Sequence, residues 1–295
     1  MDSNPGMHIR HLQVDLSQGF ARHWAGGDAY RSMLLNALSM MFPTGEQFFI
    51  DSVKAALPRI EGKADAALLQ EVKLFIGQEA THRRLHAQYN DELARQGLPN
   101  WVDGVLKRLI RLTDGFPVMT KLAATAGYEH WTAVLGDGLL RHQSWTAGMD
   151  EQMRAVWRWH AAEESEHKAV AFDVYRAAGG GYLRRVAMFT LVTLEFFTYA
   201  TVQSMKLLRA DGQLGKAATW RSALRFWWGR EGIVWHVVPH FLRYYKPGFH
   251  PWQHDNRDLL EQWREGSRND YRLVGATGPS PHPPSATPPA TPTQA

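Results

Sequence analysis

Residues 64–96, ADAALLQEVKLFIGQEATHRRLHAQYNDELARQ, decide the fold. Leu68, Val72, Phe75, Ile76, Glu79, His82 and His86 recur at three- and four-residue spacing, the period of one helix face, and Gly97 with Pro99 stops the run. Glu79 and His82 therefore lie on the apolar stripe of a long helix. Positions i and i+3 share a face, so Glu79-Ala-Thr-His82 aims a carboxylate and an imidazole at one point. The pattern recurs as Glu164-Ser-Glu-His167 in WHAAEESEHKAVAF. A lone Glu-x-x-His is usually a solvated helix surface, and a pair of them calls for a second test.

That test is a carboxylate on the helix before each pair, because a di-metal site in a four-helix bundle takes one Glu from each of two helices and a Glu-x-x-His from each of the others. Glu46, in FPTGEQFFI, precedes Glu79 by 33 residues, and Glu129, in LAATAGYEHWTAVL, precedes Glu164 by 35. Both neighbourhoods are apolar. A carboxylate buried there without compensation is costly, so metal ions explain the set better than scattered buried salt bridges do.

His160 lies four residues before Glu164 and seven before His167 on the same face, which makes it a further candidate ligand, against a core histidine between Trp157 and Trp159. His86, four residues after His82, reads as a residue behind the ligands, with a ligand as the alternative. Glu163 is four residues before His167 and competes with Glu164, and the match to Glu79-x-x-His82 favours Glu164. Glu163, Glu166 and Asp173 are then candidates for orienting ligand imidazoles. A solvated face is an equal reading for Glu166.

Further helices are expected at about 45–60 after Pro43, 117–142 and 150–178, the last ended by Gly179, Gly180 and Gly181. With 64–96 these make four helices in two pairs, an antiparallel bundle spanning about 43–178. Segments at 29–41, 182–209, 216–228 and 257–271 flank it as accessory helices, so the expected class is all-α with one helical domain over 28–274. Residues 1–27 read as an N-terminal segment without a secretory signal, hence a cytoplasmic protein. Residues 275–295, rich in Pro, Ala and Thr, read as a disordered tail.

The chain has 295 residues, with 33 Lys and Arg against 29 Asp and Glu, and no run of like charge that points to nucleic acid. Zero cysteines exclude disulfides, thiolate zinc sites, cysteine-held clusters and a cysteine nucleophile, so a metal must be held by His, Asp and Glu. There is no G-x-S-x-G, no P-loop and no dinucleotide fingerprint. His236 and His240 read as structural, with Pro239 interrupting their helix. Residues 186–205 approach the length of a membrane span, yet Glu195 and several hydroxyl side chains favour a helix covering the bundle. Aromatic and basic residues alternating over 225–246 keep a peripheral membrane contact through 186–245 as the alternative.

The Glu, Glu-x-x-His, Glu, Glu-x-x-His order resembles the ferritin-like di-iron carboxylate proteins, which implies a ferritin-like four-helix bundle with two metals on those six side chains. A longer resemblance, over about 42–175, is to the bacterial family of predicted metal-dependent hydrolases, carried by FPTGEQFF, FIGQEATHRRLHAQYN, YEHWTA and WRWHAAEESEHKAVAFDVY. With His160 the second motif is also similar to the di-iron arylamine N-oxygenases, in which an additional His binds one iron.

The first functional reading is a di-iron oxidoreductase that uses O2 to oxygenate or oxidise a small apolar or aromatic substrate, with electrons from a separate donor. The second is a binuclear hydrolase of an ester or amide on the same ligands, with Mn or Zn as alternatives to iron. For that reading the sequence offers no clearly placed general acid or oxyanion donor. A non-catalytic metal-binding bundle is the third. A homodimer is compatible with each.

Overall fold

A computed structural model describes residues 6–274, so the expected tail at 275–295 lies outside the described residues. The architecture is an all-α bundle. Four long elements form it: α1 (Ala29–Ile60), α2 (Ala66–Arg95), α4 (Val118–Arg141) and α6 (Glu151–His167), the last continued by α7 (Val170–Ala177). Around them lie α3 (Trp101–Leu112), α5 (Gln143–Thr146), α8 (Tyr182–Ala210), α9 (Ala217–Trp228), α10 (Ile233–Tyr244) and α11 (Arg257–Gly266). Strand β1 (Arg10–Leu12) pairs antiparallel with β2 (Tyr271–Leu273), Arg10 opposite Leu273.

The helix starts are chemically specified. Asp28, Asp65 and Asp150 each accept a bond from the backbone N–H three residues on, at 3.1, 2.8 and 3.2 Å, satisfying a donor that the first turn leaves unpaired. At the end of α2, Gly97 takes φ of 75° and the N–H of Leu98 reaches the carbonyl of Leu93 at 3.0 Å, a Schellman closure with Leu98 buried.

Several boundaries differ from expectation for identifiable reasons. The expected pieces 29–41 and 45–60 are one helix running through Pro43. Proline deprives the Ser39 carbonyl of its helical donor, and Asn90 Nδ2 supplies a replacement at 2.9 Å. The expected helix at 150–178 breaks immediately after His167. Ser165 Oγ bonds back to the Ala161 carbonyl at 2.9 Å, and Lys168 turns aside to the His254 carbonyl and Asn256 Oδ1, both at 2.7 Å. Helix α10 continues through Pro239, contrary to the expected interruption, and 257–271 is split into α11 and β2.

Helix α8 covers the bundle with one face only. Phe189, Val192, Phe196 and Leu207 are buried, but only 28% of its most apolar 18-residue window is. By length and composition it is the one described helix that could cross a membrane.

Helices α4 and α6, which carry Glu129, Glu164 and His167, touch at Gly136: a Cβ there would stand 2.9 Å from the Ala161 carbonyl oxygen. Neither partner is a flexible side-chain end. Gly136→Val is expected to destabilise the protein by about 1–3 kcal/mol in urea unfolding, through overpacking that forces the two helices apart.

Candidate metal centre

The bundle core contains carboxylates and imidazoles where other bundles hold leucines. Glu46, Glu79, His82, Glu129, His160, Glu164 and His167 all lie within the protein, none more than 4% exposed. Ligand atoms of Glu79, His82, Glu164 and His167 lie within 4.8 Å of one another, as do those of Glu46, His82 and His160. His82 belongs to both sets, so they form one centre. Glu129 stands outside both, with its Oε2 3.0 Å from His167 Nδ1.

The residues fit a metal by what they leave unmade. Nine buried polar atoms of these seven side chains lack a hydrogen bond, among them both oxygens of Glu46 and Glu79, His82 Nδ1, His160 Nε2 and His167 Nε2. Unpartnered buried polar atoms are rare, and a cluster of them aimed at one volume is the signature of a cation site. Electrostatics agree. Burial pushes Glu46 and Glu79 well above the ordinary carboxylate range, with Glu164 and Glu129 adding repulsion. Burial also brings Glu129 up to about 7 against the pull of His167. Glu164, although buried, is held well below its ordinary value by His167, His160 and His82. Burial opposes charge on His82, yet Glu163 and Glu164 push it up to about 10, whereas burial and His82 bring His160 down to about 4.

The surroundings divide the remaining candidates. Glu163 faces away from the shared volume: its Oε2 meets His82 Nε2 at 3.0 Å and its Oε1 takes a bond from Arg10 at 3.1 Å. Glu164 points inward, 3.4 Å from His82 Nδ1 and 3.1 Å from His160 Nε2. Glu163 thus orients His82 with Nδ1 toward the centre. Glu166 is buried and bonded to Arg10, Gln78 and Arg264, and Asp173 bonds the imidazole of His250, outside the ligand set, at 3.0 Å.

His86 stands behind His160. Ser39 Oγ donates to Asn90 Oδ1 at 2.9 Å and so accepts from His86 Nδ1 at 2.9 Å. His86 Nε2 then accepts from His160 Nδ1 at 2.9 Å, which leaves the His160 Nε2 lone pair facing the carboxylates. This chain and Arg10 escaped the sequence reading. Arg10 stands on a three-residue strand with no helical period, and Ser39 and Asn90 carry no spacing signal.

On the Glu46 side a cavity of about 540 Å³ opens, walled mainly by Phe, Leu, Met and Ile. Its polar wall includes Glu46, Thr132, Tyr128 and Glu195. Tyr128 and Glu195 interact electrostatically, and burial raises both groups.

A family model described as predicted metal-dependent hydrolase matches residues 8–255. The chain belongs to that family. The match spans β1, the whole bundle and α8 to α10, so Arg10, the cavity and the centre all fall within the metal-dependent hydrolase family's extent. No curated protein and no solved structure matches the chain significantly.

Two outcomes follow from this geometry. Arg10→Met removes a buried cation shared by two buried carboxylates, leaving Glu163 with His82 and Glu166 with Gln78 and Arg264, and is expected to cost about 3–5 kcal/mol in denaturant unfolding. For pH, a carboxyl raised to about 7 contributes stability present below its ordinary value and lost as pH rises through 7, and an imidazole raised to about 10 contributes stability lost as pH rises through 10. Chelator-treated protein is therefore expected to lose thermal stability from about pH 4.5, where the carboxyl begins to contribute less, up to about pH 10, where the imidazole contribution is gone, while the gap to metal-loaded protein, followed by circular dichroism, widens.

Proposed function

We propose that the protein is a dinuclear metal-dependent hydrolase acting on an apolar ester or amide bound in the 540 Å³ cavity. The observation that carries this reading is Glu46, which is both a member of the unpartnered ligand cluster and a wall of the cavity. Glu46, Glu79, His82, Glu129, His160, Glu164 and His167 would hold two ions, and iron, manganese and zinc all suit imidazole and carboxylate donors. When bound, such ions supply a Lewis acid and lower the pKa of coordinated water.

The chain's own residues supply the rest. The apolar walls exclude bulk water and orient an apolar chain against Glu46. Burial raises Glu195 above the ordinary carboxyl range, against the pull of Tyr128 beside it. On the cavity wall it is the general acid of this reading, the residue that would protonate a leaving group and that sequence spacing did not reveal. The chain from Asn90 through Ser39 and His86 keeps the proton of His160 on Nδ1.

A second reading, oxygen activation by iron, draws support from the mainly apolar cavity beside a carboxylate-rich centre. The two separate in one series. Protein loaded with iron, manganese or zinc is assayed on nitrophenyl esters of increasing acyl length. Hydrolysis is expected to need metal, to rise with chain length and to fall by roughly 10²–10⁴ in Glu195→Gln. It is expected to vanish with the metal in His82→Ala and His167→Ala, whose helical spectra persist. Absence of hydrolysis with every metal, together with an oxygen-dependent absorption change in the reduced iron form, overturns the hydrolase in favour of the second reading.

A further inference from the structure

The rim of the cavity belongs to a surface unlike the rest of the molecule. Leu112, Phe116, Leu191 and Leu194 line the cavity and are each more than half exposed, so the cavity opens to solvent among bare leucines and a phenylalanine. From there exposed apolar residues continue over α8, α9 and α10. Ten of the 16 large hydrophobic side chains exposed among the described residues fall in 182–246, including Leu183, Leu224, Trp228, Trp235 and Leu242. Trp228 and Trp235 meet edge to face at 5.9 Å while both remain more than half exposed, which joins the outer faces of α9 and α10. Isolated exposed hydrophobic residues need no explanation, but a concentration of this kind does.

Charge identifies the occupant. Residues 182–246 carry ten Lys and Arg and three Asp and Glu, a net +7, whereas the whole chain is +4, so everything else sums to −3. Nine of the ten bases are exposed, and none of those nine forms an ion pair with a described acidic residue. The three acids of the segment are engaged elsewhere: Glu195 with Tyr128, Asp211 with Arg22 and His23, and Glu231 with Ser144. Exposed Trp and Leu interleaved with unpaired Arg and Lys complement a bilayer with anionic headgroups, the apolar groups entering the interface and the bases meeting phosphates. A second copy of the same face would bring +7 against +7, which opposes a two-fold dimer through it.

We infer that α8, α9 and α10 form a docking face for an anionic lipid bilayer, which sets the cavity mouth on the membrane and selects membrane-dissolved substrates. The substrate part rests on the proposed hydrolase reading, while the docking part stands without it.

The test is sedimentation of the full-length protein with phosphatidylcholine vesicles, with and without phosphatidylglycerol. It is done on metal-stripped protein, so that vesicle binding and catalysis fail separately. Binding is expected only with phosphatidylglycerol, weakening at high salt, and falling roughly tenfold or more in Arg221→Glu/Arg225→Glu and in Trp228→Ser/Trp235→Ser. In a separate assay of metal-loaded protein, both double variants are expected to hydrolyse a water-soluble short ester as the parent does, and hydrolysis of a vesicle-borne ester is expected to drop. No sedimentation with anionic vesicles, or sedimentation that neither double variant weakens, overturns the docking face. A dimer in sedimentation velocity that Trp228→Ser/Trp235→Ser disperses, without lipid binding, assigns the face to a second copy instead. Docking as expected with equal hydrolysis of vesicle-borne and soluble esters in parent and variants overturns the substrate selection alone.

Discussion

Four carboxylates converging in a helical core form the constraint around which this protein is built. Glu46, Glu79, Glu129 and Glu164 come from four different helices and meet where burial strengthens every repulsion among them. Protons relieve part of the strain, which is why burial drives Glu46 and Glu79 upward, and three imidazoles relieve more by holding Glu164 ionised. Neither remedy partners the atoms left without hydrogen bonds, and a cation does. The helices around the centre are apolar enough to keep water out, so the fold makes the demand for positive charge that the ligands are arranged to satisfy.

Away from the cavity lining, the centre is buttressed by side chains brought from distant parts of the chain. Arg10, on the short strand β1, joins Glu163 to Glu166 and lies 5.3 Å from the Trp263 ring and 5.1 Å from the Tyr271 ring. The two-stranded ribbon thus anchors an arginine that bonds both acids. Through Glu163 the anchor reaches His82. On another side the Asn90 amide does two jobs, replacing the donor that Pro43 removes from α1 and fixing the hydroxyl of Ser39 that faces His86. A backbone irregularity and the tautomer of a buried histidine are therefore settled by one side chain.

The legible part of this structure is the part written in helical period. Glu79 with His82 and Glu164 with His167 could be paired on one face because three residues of an α-helix turn through nearly a full circle, and long apolar stripes located all four bundle helices. What escaped depends on contacts between residues far apart in sequence. Pro43 reads as a break unless Asn90 is known to cover the orphaned carbonyl. The stop after His167 needs the hydroxyl of Ser165 and the pull on Lys168 from residues 254 and 256. Arg10 has no periodic neighbour, and Glu195 looks like a flaw in an apolar run until Tyr128 stands beside it. The long apolar run of α8 was legible, but the openness of its outer face was not, since composition does not say which neighbours are missing.

The centre is asymmetric in a way that bears on where chemistry enters. Six of the seven candidate ligands are within 4.0 Å of an ion-pair partner inside the cluster or just behind it, whereas among the described residues Glu46 has no such partner and no hydrogen bond. Glu46 is also the one that borders the cavity. The carboxylate least held by the protein thus stands between the enclosed imidazoles and the open apolar space, and no hydrogen bond or ion pair among the described residues fixes its oxygens. Among the described residues the cavity beside Glu46 also reaches the surface at Leu191 and Leu194, so the least-held carboxylate is the one that borders open apolar space.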